Sequence, residues 1–164
     1  MKNAYKVAAV STILVLAAGG VALGYELRGG CGSQEGRAEK IAGLEILQEK
    51  PEGAHPASGS EKVEYGCVDD GGGWLYANRH YAFEGSNRQV VDFYRGIAQK
   101  QGLSLDEEGR EASDTLAGLC FSKEVDDKPV LVRIRFNPPG GSEPGDYTIG
   151  AEAALDGERI RCWL

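Results

Sequence analysis

Cysteine and histidine supply most nucleophile, metal and redox chemistry, and this 164-residue chain has four of the first and two of the second. Cys31, Cys67, Cys120 and Cys162 include no pair at the CxxC spacing of a zinc or dithiol site, and His55 and His80 stand far from all of them in sequence. No metal ligand set is therefore expected, and the four thiols read as disulfide partners. Four cysteines allow three connectivities; Cys67 with Cys120 is the first choice, and Cys31 is the least constrained. No GxSxG sequence offers an activated serine, and His80 falls on a strand facing away from the expected core. Asp69 and Asp70 precede three glycines, but a calcium loop needs more oxygen ligands at fixed spacing, and no lysine or helix follows the glycines as a phosphate loop requires. No catalytic residue and no cofactor is proposed from these patterns.

One group of side chains survives this filtering. Strand alternation puts Trp74, Tyr76 and His80 on the same sheet face as Leu131, Arg133 and Arg135. Tryptophan, tyrosine and arginine are the types most enriched where proteins bind partners, and two arginines on one face of an acidic domain favour a carboxylate-bearing ligand. The alternative is that the face is covered from within, by a helix over residues 34–50 or by the terminal ERIRCWL.

The elements that must hold this face are legible as patterns. Lys62 to Val68 and Trp74 to Phe83 read as strands around an acidic glycine turn. Ser86-Asn87-Arg88-Gln89 has the form of a capping box, and Val90, Phe93, Tyr94, Ile97 and Ala98 make one apolar stripe that stops at Gly102. Thr115 to Val125, Pro129 to Phe136 and Tyr147 to Leu155 read as further strands, the first two joined by a turn at Asp126-Asp127-Lys128. Alternation nominates Leu75, Ala77, Tyr81, Phe83, Leu119, Phe121, Val130, Val132, Ile134, Phe136, Tyr147, Ile149, Ala151 and Ala153 as core. The expected fold is α+β: one small domain, a mainly antiparallel sheet of about four strands, and one main helix packed on one face.

Ahead of this domain, at 61–164, stands a different kind of sequence. Val7 to Tyr25 runs nineteen residues without a charge, close to the roughly 20 that cross a bilayer as a helix. Residues 1–6 carry Lys2 and Lys6, which predict a cytoplasmic N-terminus and translocation of everything after residue 25. A single-pass signal anchor fits the length. Cleavage after Gly24 would instead release a secreted domain, and a lipoprotein would use Cys31, although Arg28 stands where the usual lipobox has leucine. Residues 26–60 read as a tether with a short amphipathic helix, ending in the linker PEGAHPASGS over 51–60. Setting aside Lys2 and Lys6, residues 26–164 hold 16 basic against 25 acidic side chains, a net of −9. Such a charge repels phosphate backbones, so nucleic acid is excluded as the expected partner.

The run Arg79-His80-Tyr81, the helix phrase VVDFYRGIAQKQG and the strand phrase LCFSKEVDDKPVLVRIRF resemble small exported or membrane-anchored proteins of high-GC Gram-positive bacteria. The resemblance covers about half the chain, implies a cell-envelope location and carries no functional residue. The expectation is a non-enzymatic binding domain of the envelope, taking an envelope protein or acidic ligand. The alternatives are a thiol-redox or other accessory enzyme, and a structural component of a membrane complex.

Overall fold

The computed structural model describes residues 31–69, 72–106, 118–136 and 145–162; the segment 7–25 lies outside them. Among the described residues, seven strands form one antiparallel sheet: β1 His55–Pro56, β2 Glu64–Val68, β3 Trp74–Ala82, β4 Ser104–Leu105, β5 Gly118–Val125, β6 Lys128–Phe136 and β7 Tyr147–Ala154. β1 and β2 share one edge of β3, and the sheet continues through β7, β6 and β5 to β4. The sheet is thus wider than the expected four strands. β1 and β4, two residues each, are too short to leave a side-chain alternation in the sequence.

Two helices pack on the same face. The longer, α2 (Asn87–Lys100), starts as the sequence indicates: the Gln89 amide donates to Ser86 Oγ at 3.3 Å and the Ser86 amide to Gln89 Oε1 at 2.7 Å. It buries Val90, Val91, Tyr94 and Ala98. Every alternating residue nominated for the core joins the buried cluster or packs against it. Between β5 and β6, Asp126 and Asp127 both take positive φ, 52° and 57°, the left-handed pair of a two-residue type I′ turn, and Lys128 already belongs to β6.

Residues 31–60 differ from the tether and linker that the sequence suggests. α1 (Glu35–Ala42) ends at Gly43, and a single helical turn at Glu45–Leu47 follows. Ala38, Ile41, Ile46, Leu47 and Ala54 are buried in the common core. The stretch 51–60 is fixed largely through its backbone: β1 pairs with Tyr81 and Ala82, and the Ala57 amide donates to the His80 carbonyl at 3.0 Å. The Arg79 guanidinium donates to the carbonyls of Ser60 and Glu61 and to Gln48 Oε1. Proline, glycine and serine carry no apolar period, so these backbone contacts were invisible to side-chain patterning.

Three tyrosines join the N-terminal segment to the sheet. Tyr81 stacks on Tyr147 with centroids 5.2 Å apart, and Tyr94 meets Tyr147 edge-on at 5.8 Å. Tyr94 Oη donates to the Glu49 carbonyl at 2.7 Å and lies 3.3 Å from Tyr147 Oη, while Tyr81 Oη donates to the Leu47 carbonyl at 3.1 Å. Burial is the main cause that raises the pKa of each of the three phenols. A raised pKa favours the protonated phenol in the folded state. That stability is fully present below the unfolded value of about 10 and is lost as the pH climbs above it. In an alkaline titration, ionisation of these three phenols is expected to coincide with loss of near-ultraviolet circular dichroism. Phenolate absorbance from all described tyrosines while the tertiary signal stays intact would contradict this arrangement.

Candidate functional site

The sheet face opposite the helices is built from even-numbered residues of β3, β5 and β7 and odd-numbered residues of β6. Register aligns them in rows across the sheet: His80, Thr148, Arg135 and Gly118; then Asn78, Gly150, Arg133 and Cys120; then Tyr76, Glu152, Leu131 and Ser122; and last Trp74 beside Ala154. Trp74, Tyr76, His80, Arg133 and Arg135 therefore do share one face. They do not converge on one point. Six residues of extended chain separate Trp74 from His80, about 20 Å at 3.3 Å per residue.

Local pairing divides these side chains further. Arg133 is mostly buried and forms an ion pair with Glu152 across the β6–β7 pair. His80 Nδ1 and Thr148 Oγ1 are hydrogen-bonded at 2.8 Å. The Tyr76 ring leans over Gly66 of β2, where even a Cβ would lie 2.9 Å from its hydroxyl. Trp74, 38% exposed, and Arg135, also exposed, stay open to solvent at opposite ends of the face. Arg133 has its charge matched by Glu152, so attraction for an acidic group falls chiefly to Arg135.

The C-terminal tail covers one side of this face. After β7 the chain crosses back, Arg159 Nη2 pairs with buried Asp106 Oδ2 at 3.2 Å, and Cys162 bonds to Cys120 of β5. Of the two segments expected as covers, the tail fills that role. α1 does not, because Ala38 and Ile41 turn into the core on the opposite face.

All four cysteines are paired, Cys31 with Cys67 and Cys120 with Cys162. The expected first choice, Cys67 with Cys120, is overturned by the sheet. β3, β7 and β6 stand between β2 and β5, four strand spacings or about 19 Å, and a disulfide spans Cα atoms no more than about 7 Å apart. Cys31 proves as constrained as the others, its Cα 5.5 Å from that of Cys67. With its sulfur in a disulfide, Cys31 also cannot carry the thioether lipid of a lipoprotein. Two such bonds belong to an oxidising compartment outside the cytoplasm.

Sequence reasoning missed Thr148 and Glu152, the partners of His80 and Arg133, although the alternation that placed Tyr147 and Ile149 inside puts these two outside. It also missed Arg37. This side chain is 9% exposed, donates through Nη1 to the Ala154 carbonyl at 3.1 Å, and so ties α1 to the end of β7. Desolvation lowers its pKa, opposed by the nearby Asp126 carboxylate.

Among the described residues, no group of three or more His, Cys, Asp or Glu is placed to hold a metal ion, and no helix is long and apolar enough to cross a membrane. Compared with family models, with curated proteins and with solved structures, the chain matches none.

Proposed function

We propose that this chain is a membrane-anchored extracytoplasmic domain that binds a partner and performs no catalysis. Residues 7–25 would serve as the anchor, with the N-terminus in the cytoplasm. The observation that carries the binding role is the back face of the sheet: Trp74 and Arg135 remain solvent-exposed there, while Arg133 is paired with Glu152 and His80 with Thr148 within the domain. An exposed indole and an unscreened guanidinium on a rigid sheet are the ordinary ingredients of a protein-binding surface, and the guanidinium favours a carboxylate on the partner. The disulfides support the location, because such bonds form and persist in oxidising compartments and are rare in the cytosol.

The test is a cross-linked pull-down from solubilised membranes of cells expressing the tagged chain, after external protease has checked which side the domain faces. Trp74→Ala and Arg135→Glu are each expected to reduce capture about tenfold, corresponding to about 1.4 kcal/mol, with melting temperatures within a few degrees of the parent. Unchanged capture in both variants would remove the back face from the proposal. A domain cleaved only after the cells are opened would remove the anchor.

A further inference from the structure

A groove of about 570 Å³ opens between the β5 edge and the C-terminal tail, walled by Gly102, Ser104, Ser122, Lys123, Glu124 and Arg159. It lies apart from both Trp74 and Arg135. Backbone geometry shows what its floor offers. The two-residue turn at Asp126 and Asp127 closes on Val125 and Lys128 as a mutually hydrogen-bonded pair, so Lys123 and Phe121 also bond toward β6. Ser122 and Glu124 then direct their amide and carbonyl groups to the outer edge. β4 meets that edge only where Ser104 pairs with Ser122 and Leu105 with Phe121, followed by the Asp106 amide donating to the Cys120 carbonyl at 3.1 Å.

Continuing the register would set Gly102 opposite Glu124, but the chain turns away there. Gly102 has φ +69°, and its amide donates to Gln99 at the end of α2. The outward N–H and C=O of Glu124 thus face the groove with no partner in the β4–β5 ladder. A concave site with unpaired strand backbone on its floor suits an extended peptide added as one more short strand.

The walls narrow the choice of peptide. Lys123 Nζ donates to the Gln101 carbonyl at 3.2 Å, which holds its ammonium on the helix side of the groove. Arg159 stands on the tail side, its side chain 62% exposed beyond the pair with Asp106. Arg159 shares its charge with Asp106, so Lys123 supplies the unmatched cation and the exposed Arg159 guanidinium further N–H donors. Together they admit a carboxylate on a strand that pairs here. The exposed Glu124 side chain opposes a run of acids, so a single acidic residue between neutral or basic neighbours fits best.

We propose that this groove captures an extended segment of a partner protein, which pairs with the Glu124 backbone and places one acidic side chain between Lys123 and Arg159. This second contact surface borders the back face, with which it shares Ser122, but uses neither Trp74 nor Arg135 and does not depend on the membrane anchor.

The test uses the full chain, isotopically labelled and held in a lipid nanodisc, with three synthetic probes. These are a peptide alternating valine and threonine with one central glutamate, the same peptide with lysine for the glutamate, and the glutamate peptide with N-methylated backbone. The glutamate peptide is expected to slow exchange of the Glu124 amide at least tenfold. Lys123→Glu should weaken that effect about tenfold while the melting temperature confirms an intact fold; Arg159, which also pairs with buried Asp106, is left in place. Equal protection by the lysine or the N-methylated peptide, or none at Glu124, would overturn the proposal. So would protection that rises with protein concentration in the absence of peptide, since the occupant would then be a second copy of this chain.

Discussion

Replacing Cys120 or Cys162 by serine is expected to lower the stability of the domain by about 4 kcal/mol, and replacing Cys31 or Cys67 by about the same. The bonds close separations of 42 and 36 residues. In the chain-entropy model each restricts the unfolded ensemble by about 4 kcal/mol, against about 5–15 kcal/mol for the whole of a typical domain. Each single staple should therefore be worth roughly 10 °C or more in melting temperature, and reduction of both should leave little folded protein at growth temperature. The two losses differ in place. Breaking Cys120–Cys162 leaves the tail held chiefly through Arg159 and Asp106, whereas breaking Cys31–Cys67 frees the start of the described chain from β2. Urea unfolding of the serine variants checks the magnitude. Peptide mapping without reduction checks the pairing: recovery of a Cys67–Cys120 peptide would contradict the strand order itself.

That pairing also shows where sequence stops being informative. The capping box at Ser86, the stripe from Val90 to Ala98 and the alternation along β3, β6 and β7 are local signals, and each corresponds to a side chain found where it was expected. Which strands lie side by side is not local. β7 inserts between β3 and β6, and that single long-range choice sets Glu152 against Arg133, Thr148 against His80, and Cys67 out of reach of Cys120. The back face was legible as a set of residues, since alternation needs no knowledge of neighbours. Its division into matched and open side chains was not, because it depends on register. Nor did the sequence show that residues 31–60 belong to the core: α1 is short, and β1 is held by hydrogen bonds that leave no mark on residue type.

Tyr94→Ala tests how firmly that N-terminal portion is held, and it carries the second large expected effect. The Tyr94 ring is fully buried between α2 and Tyr147, and its hydroxyl reaches across to the Glu49 carbonyl. Truncation removes the ring from the core and the hydrogen bond from the chain just after Leu47, which together should cost about 3–5 kcal/mol. Tyr94→Phe keeps the ring and loses only the bonds to Glu49 and Tyr147, an expected cost of about 1–2 kcal/mol. The comparison separates packing from anchoring. Amide exchange over residues 47–50 should rise in both variants, because both lose the tie at Glu49, while global stability should fall steeply only in the alanine variant. Equal stability losses would place the energy in the hydrogen bond, and a loss below about 1 kcal/mol for alanine would mean that Tyr94 is not a core residue. Because Glu49 lies between α1 and β1, loosening it also loosens the segment that joins Cys31 to the sheet, and with it the link between the described domain and the residues that precede it.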